Sequence, residues 1–408
     1  MRILVLWRQL YVKTRNTIFD YVFSFRKYDL MNEYFYFDIY NGRFPSDYEW
    51  IADNMFDAVI FHHTALQLRW WNREYWNQFL ELMNRIWKKY PCVKIMLPQD
   101  DYDRTSALWD LADGIEADYI YTIIRSEDHA ILYPKEKVGK CDIHTILTGY
   151  VDEKYIMKYD RHEKRKYDVV YRANKLPYAY GRQGQLKIEL VKIFEERLSN
   201  EKLRISLKNP QGNLGAFLGD EWIRFLASSR VTLGCLSGSG IMDADGLIRE
   251  TFDIYLKSNP DASYDAAKKA CFPDLEENLH GMIGPRIFES AVTKTCQVLV
   301  GQDYQNILKP DVDYIVLNEY YSNLNDVVQK IKDVQYCEQV AEQCYRDIIE
   351  SSKYSYSVLV KEIISGITDK VYIEKPKDKQ LSKVIQEHCD RNNKQVYNEM
   401  LHKEMEIL

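Results

Sequence analysis

The chain has 408 residues, 46% of them hydrophobic, a net charge of −6 and eight cysteines. That length supports two ordinary domains with cores of their own, and the interspersed acids and bases leave no concentrated positive face of the kind general nucleic-acid binding needs. The cysteines (Cys92, Cys141, Cys235, Cys271, Cys296, Cys337, Cys344 and Cys389) fall singly with no C-x-x-C, which argues against a disulfide framework and for reduced thiols in a cytosolic protein.

The chain opens MRILVLWRQLYVK. Its short apolar run, broken by Arg8 and Gln9, is too short for the core of a signal peptide, and no later segment reaches the length of a bilayer span. A soluble cytoplasmic protein is expected, with peripheral contact to the inner membrane face left open. RILVLW (2–7), DAVIFHH (57–63), VKIMLP (93–98), DYIYTII (118–124) and DIHTILTG (142–149) read as buried strands. Amphipathic segments such as REYWNQFLELMNRIWKK (73–89) separate them. This rhythm predicts a mostly parallel sheet with helices on both faces, as a first domain over 1–152.

DEKYIMKYDRHEKRKYD (152–168) replaces apolar periodicity with charge, and a linker is expected at 153–166. The rhythm then restarts, with DVVYR (168–172), LRISLK (203–208), VTLGCL (231–236), QVLVG (297–301) and DYIVLN (313–318) as strands. Helices are predicted at 183–198, 219–229, 285–294 and 323–333, giving a second domain over 167–335. Two further helices, 247–257 and 263–270, are predicted between the loop SGSGIMDADG (237–246) and residue 285. Residues 336–370 read as C-terminal helices, with a return to the first domain as one reading, and 371–408 as a charged tail outside any core. The predicted fold class is α/β: two Rossmann-like doubly wound domains facing a cleft, followed by C-terminal helices.

Residues 284–300 read GPRIFESAVTKTCQVLV. Pro285 suits a first helical position because its missing N–H would have had no intrahelical partner, and Gly284 permits close backbone approach. The helix is therefore expected to start at 285, with its N–H groups and positive dipole end offered to a phosphate in the crevice at the strand carboxyl ends. Arg286 adds a donor fork suited to phosphate oxygens. Glu289, one turn on, is a carboxylate for ribose hydroxyls. The plain alternative is that both residues only complement the helix start.

The stretch WIRFLASSRVTLGCLSGSG…GPRIFESAVTKTCQVLVGQDY resembles the donor-binding half of nucleotide-sugar glycosyltransferases with the GT-B fold. There, a helix ending in small polar residues leads to a strand, a Gly/Ser loop and a "(P)R-x-F-E-A" helix followed by another strand. KYDVVYRANKLPYAYGRQGQLK (166–187) and LVGQDYQNILKPDVDYIVLNEYYSNLNDVVQKIKD are similar to a bacterial group-1-like branch associated with surface polysaccharides. The resemblance covers roughly 166–335. It implies a glycosyltransferase in which Glu289 binds the donor ribose and Arg286, with the amides of its helix, faces the diphosphate. Arg172 matches the basic residue that grips the diphosphate, with Lys187 or Lys208 as its second.

Many retaining members carry another glutamate with seven residues between it and the one matching Glu289; here that position is Gly281, so no stereochemical outcome is assigned. Ser237, Gly238, Ser239 and Gly240 either wrap a phosphate or the sugar with N–H groups and hydroxyls, or form a plain turn. Asp243 or Asp245 either contacts donor-sugar hydroxyls or caps a helix starting near 246. The strings Asp101-Tyr-Asp103 and Asp243-Ala-Asp245 are a weak pattern for a divalent ion. The metal-dependent enzymes that use such aspartates have a single-domain fold, so neither metal nor cofactor is expected.

Transfer with inversion needs a general base near the acceptor hydroxyl. The resemblance places it in the first domain, where His62 and His63 follow DAVIF, and Asp100 and Asp101 follow VKIML. Histidine suits neutral pH, whereas an aspartate needs a raised pKa; for each, an ordinary hydrogen-bonded loop residue is the alternative. Arg15, Trp70 and Trp71 are assigned to the acceptor side by position alone. The expected function is sugar transfer from a nucleotide-diphosphate sugar to a glycan or lipid-linked acceptor in bacterial polysaccharide or glycoconjugate assembly. The alternative is a catalytically idle nucleotide- or glycan-binding module of the same fold. A nicotinamide oxidoreductase is disfavoured, because neither half carries G-x-G-x-x-G after its first strand.

Overall fold

The computed structural model describes residues 1–8, 16–39, 56–159, 165–210, 217, 219–370 and 379–392. Arg15, residues 160–164 of the expected linker and most of the charged tail lie outside them. The chain divides into two compact units: Met1–Val12, Val22–Ile146 and Val360–Leu408 form the first, and Lys13–Tyr21 with Leu147–Leu359 the second.

Unit 1 holds a six-stranded sheet: β1 (Arg2–Trp7), β2 (Glu33–Asp38), β3 (Ala58–His62), β4 (Val93–Leu97), β5 (Tyr119–Thr122) and β6 (Asp142–Thr145). Its order is β2-β1-β3-β4-β5-β6 and every pairing is parallel. Every residue of β1, β3, β4 and β5 is buried. That is why these strands read as continuous apolar runs: a parallel sheet covered on both faces has no polar side to alternate with.

Helix α1 (Asn16–Tyr28) and β2 are additions to the sequence reading, which assigned nothing to 16–38. Helix α2 (Arg73–Trp87) buries Trp76, Phe79, Met83 and Trp87 at helical spacing. It starts at Asn72, whose side chain accepts the Glu74 amide at 2.7 Å. Helix α3 (Thr105–Ile115) follows β4.

Unit 2 holds β7 (Tyr167–Arg172), β8 (Ile205–Lys208), β9 (Ser229–Gly234), β10 (Cys296–Val300) and β11 (Ile315–Leu317), all parallel, in the order β11-β10-β9-β7-β8. The sheet grows outward from β7 to β8 on one side, and from β9 through β10 to β11 on the other. The topological switch point therefore lies between β7 and β9, where such sheets leave a crevice at the strand carboxyl ends.

A short helix, Glu153–Tyr159, occupies the first half of the expected linker, and the further helices of unit 2 include α4 (Gly181–Leu198), α5 (Asp220–Ala227), α6 (Leu247–Ser258), α7 (Tyr264–Cys271), α8 (Arg286–Val292), α9 (Leu324–Lys332) and α10 (Val334–Tyr345). One face of the sheet packs Val169, Val231 and Val298 against Leu190 and Phe194 of α4, Val328 of α9 and Val340 of α10. The other packs Leu299 and Val316 against Ile287, Phe288 and Ala291 of α8. Helices α6 and α7, inserted between β9 and α8, have a small core of their own around Phe252, Tyr264 and Ala267.

The last helices among the described residues are α11 (Tyr356–Lys370) and α12 (Lys379–Asn392). Residues 379–392 were expected outside any core. Instead Ile385 and Cys389, one turn apart, are fully buried in unit 1, where His388 stacks on Phe37 of β2 at 6.3 Å. Two apolar residues at the i, i+4 spacing are enough to seat a short stripe of an otherwise charged helix.

Candidate active site

The switch point of unit 2 is bridged by one side chain. The Arg286 guanidinium donates to the carbonyl of Arg172, the last residue of β7, and at 3.3 Å to that of Leu233 in β9. It lies over the rings of Tyr171 (4.7 Å) and Trp222 (5.1 Å). The half-buried Cys235 thiol lies just past β9, two residues beyond the Leu233 carbonyl that Arg286 holds; desolvation raises it, against the opposing charges of Lys187 and Arg286. Arg286 of α8 thus ties the carboxyl ends of β7 and β9 together at the switch point.

Arg172 contributes less directly than its position suggested. Its guanidinium donates to the carbonyls of Tyr171 and Ser206, both at 2.8 Å, and to the Ser206 hydroxyl at 2.9 Å, and it lies 4.8 Å from the Phe225 ring centroid. Its fork is committed to tying β7 to β8. Lys208, its register partner on β8, is exposed at the sheet edge.

The start of α8 agrees with expectation to within one residue, Pro285 having helical dihedrals (φ −56°, ψ −30°). Pro285 is the residue before the helix, which begins at Arg286 and has only seven residues. The amides of Phe288 and Glu289 both donate to the Pro285 carbonyl at 3.0 Å, and that of Ile287 to Gly284 at 3.2 Å. Gly284 is buried, and a Cβ there would come within 2.6 Å of the Ser237 hydroxyl. Tight local hydrogen bonding therefore occupies the amides of Ile287, Phe288 and Glu289, and the side chains of α8 carry the site.

Glu289 is half-buried and accepts the indole N–H of Trp222 at 2.6 Å. That links the carboxylate to the same indole that lies under Arg286. Trp222, Cys235 and Tyr171 were not singled out in the sequence. The available signal was the strand-end position of Tyr171 and Cys235; nothing local marks Trp222, which lies 67 residues from its partner.

Part of the Gly/Ser loop is a structural crossing that commits several of its polar groups, while Gly240 lines a cavity. Ser237 and Met282 exchange backbone hydrogen bonds at 2.7 and 2.8 Å, and the Gly240 amide donates to Tyr180 at 3.2 Å. The Ser239 hydroxyl is buried and donates to the Ile241 carbonyl at 2.7 Å. Gly238, at φ 94°, is the position in this loop that needs glycine. Asp243 takes its capping alternative, accepting the amides of Ile248 and Arg249 in the first turn of α6 at 3.1 and 2.9 Å.

In unit 1 the four base candidates separate by accessibility. His62 is wholly buried, bonds the Thr64 hydroxyl at 3.0 Å and caps the one-turn helix His63–Leu66. Burial, then His63, pushes its imidazole well below the usual range. His63 is also buried, and desolvation with the neighbouring Arg69 and Arg8 lowers its imidazole to about 3. A base works best with a pKa near the operating pH, so both histidines are corrected to structural residues.

Asp101 is fully buried and accepts the hydroxyls of Thr122 and Tyr133, each at 2.5 Å. Burial raises its carboxyl against the pull of those hydroxyls and of Arg69. It too is corrected to a structural role. Asp100, whose carboxylate accepts the Tyr102 hydroxyl at 2.6 Å, keeps partial solvent access.

The loop carrying these aspartates is shaped by Arg69, absent from the sequence reading. Its guanidinium donates to the carbonyls of Leu66, Gln99, Asp100 and Asp103 at 2.9 to 3.2 Å. The D-x-D string therefore curls around an internal cation. Among the described residues no three His, Cys, Asp or Glu side chains are grouped to hold a metal. Trp70 donates to the Asp103 carbonyl at 3.4 Å, whereas Trp71 is exposed and carries the Arg8 guanidinium 3.8 Å from its ring centroid.

No protein-family model and no curated protein matches the sequence. Among solved structures, the chain is similar to an alpha-glucosyltransferase in complex with UDP and a 13-mer DNA containing an HMU base. The TM-score is 0.53 at 11% identity, over 90% of this chain and 99% of that one. An alpha-glucosyltransferase in complex with UDP-glucose and DNA containing an abasic site gives 0.50 at 11% identity, with the same coverage. HepE from Anabaena, in complex with UDP-glucose, gives 0.47 at 10% identity, over 90% of this chain and all of that one. At such identities the likeness is one of fold: two parallel α/β sheets in the GT-B arrangement of strands.

Proposed function

We propose that the protein is a glycosyltransferase that moves a sugar from a nucleoside-diphosphate sugar to a glycan or lipid-linked acceptor. The observation that carries this reading is the Arg286 guanidinium bridging the ends of β7 and β9 at the switch point of unit 2. A departing nucleoside diphosphate gains negative charge as the glycosidic bond breaks, and fixed cations at a strand-end crevice stabilise that charge without a metal ion. Glu289, held by Trp222, takes the ribose hydroxyls in this reading, and Asp100 is the base candidate that a substrate can reach within unit 1.

The two neighbours with the higher TM-scores were captured with DNA. A net charge of −6 without a long basic stripe disfavours DNA here, and we favour an acceptor in bacterial surface-polysaccharide or glycoconjugate assembly at the cytoplasmic side. The enclosure of His62, His63 and Asp101 favours a second reading, an idle nucleotide-binding module of the same fold.

Thermal shift in EDTA tests the donor site: UDP or another nucleoside diphosphate should raise Tm, and Glu289→Ala should abolish the shift. Full stabilisation of that variant would remove Glu289 from the site. Release of nucleoside diphosphate from a nucleotide-sugar panel separates the enzyme from the idle module, which binds but does not turn over.

A further inference from the structure

A cavity of about 850 Å³ opens at the carboxyl ends of β9, β10 and β11, within unit 2. That volume lies in the range of small-molecule sites, roughly 300–1,000 Å³. The cavity and the Arg286 site meet on β9: Arg286 donates to the Leu233 carbonyl at 3.3 Å, two residues before Cys235, which lines the cavity.

The ordinary phosphate seat of a doubly wound unit, the helix N-terminus after its first strand, is already filled. Glu277 places one carboxylate oxygen 2.5 Å from the Arg182 amide in the first turn of α4. Gly181, at φ +68°, makes room for it, since a Cβ there would lie 2.5 Å from that oxygen. The other oxygen accepts the Tyr264 hydroxyl and the Lys268 ammonium, both at 2.7 Å. An internal carboxylate anchored by the inserted helix α7 thus stands where a phosphate would bind. Anionic groups of a donor are directed to Arg286 and Lys187 instead.

The cavity itself is acidic. Glu189, Glu277, Asp303 and Glu319 line it, against the single guanidinium of Arg182, which is paired with Glu189 at 3.2 Å. Asp303 and Glu319 are exposed. Carboxylates accept hydrogen bonds from hydroxyl and ammonium groups and repel another carboxylate. With Glu289 taking the ribose in the reading above and the cavity meeting the Arg286 site through Cys235, the glycosyl group of a donor is directed toward the cavity.

We infer that this cavity is the glycosyl subsite of the donor, and that its carboxylates restrict it to neutral or amino sugars, excluding uronic acids and other carboxylated sugars. The inference rests on the donor site proposed above.

Isothermal titration of the full chain with UDP, UDP-glucose and UDP-glucuronate tests it. UDP-glucose should bind at least about tenfold more tightly than UDP-glucuronate, since like-charge contacts suppress a wrong partner strongly. The double variant Asp303→Asn, Glu319→Gln, altered only at exposed positions, should narrow the gap to about threefold or less. UDP binding with equal or tighter binding of UDP-glucuronate overturns the subsite assignment alone, as does an unchanged gap in the double variant. Failure of UDP, ADP, GDP and both UDP-sugars to bind overturns the donor site and this inference together, and binding of ADP or GDP without UDP moves the same comparison to the glucose and glucuronate esters of that nucleotide.

Discussion

Replacing Arg286 separates a side-chain phosphate site from a merely structural arginine. A guanidinium has five N–H donors, more than the carbonyls of Arg172 and Leu233 use. Removing it deletes charge-assisted hydrogen bonds to a diphosphate, about 1.5–3 kcal/mol, or about 10- to 150-fold in Kd. It also unties β7 from β9 at their carboxyl ends and removes stacking on Tyr171 and Trp222, for a folding cost of about 1–3 kcal/mol. Arg286→Lys keeps the charge, but a compact ammonium cannot span two strand ends or stack as a plane. The expected order of UDP affinity is therefore Arg, then Lys, then Ala. Titration calorimetry measures it, and urea midpoints show whether each variant is folded under the assay conditions. An alanine variant that loses stability yet binds UDP within twofold of the parent would show that Arg286 is only a strap, and would refute the site.

Asp100→Asn should lower turnover while leaving the urea midpoint nearly unchanged, whereas Asp101→Ala should destabilise unit 1 by about 3 kcal/mol, because the buried Thr122 and Tyr133 hydroxyls lose their common acceptor; turnover assays and urea melts on the same preparations distinguish the two. Asp20 of unit 2, buried beside Lys154 and 3.0 Å from the Tyr155 hydroxyl, has its carboxyl raised to about 7 by desolvation, partly opposed by Lys154. The folded state holds that proton where the unfolded state has released it, so stability falls as pH rises from about 4 to 7. Asp20→Asn should therefore be more stable than the parent above pH 7, by at most about 4 kcal/mol, and the two should converge near pH 4; urea midpoints at pH 4 and pH 8 measure this, and a variant destabilised equally at both would contradict it.

The buried strands of both units were readable because two-sided burial turns a parallel strand into a short unbroken apolar run, as in RILVLW and DAVIFHH. EYFYFD has the same cause, yet β2 escaped notice, since aromatics flanked by acids look like composition until α12 and β1 are seen covering them. Arg286 and Glu289 were readable as residue types at a helix start. What their first turn does was not, because Gly284 is held against Ser237, 47 residues earlier in the chain, and that packing is invisible to local pattern. The same holds for Glu277, which fills the start of α4 from a segment 95 residues away. These two occupied helix starts bear on the mechanism. With the Arg182 amide of α4 taken by Glu277, and the Ile287, Phe288 and Glu289 amides of α8 bonded to Gly284 and Pro285, these groups do not form the backbone cradle that a Gly-rich phosphate loop would. Anion binding in unit 2 then falls to side chains, and a side-chain site fails when one cation is removed, whereas a backbone cradle survives most substitutions. The steep dependence on Arg286 follows from the carboxylate at Glu277 as much as from the arginine itself.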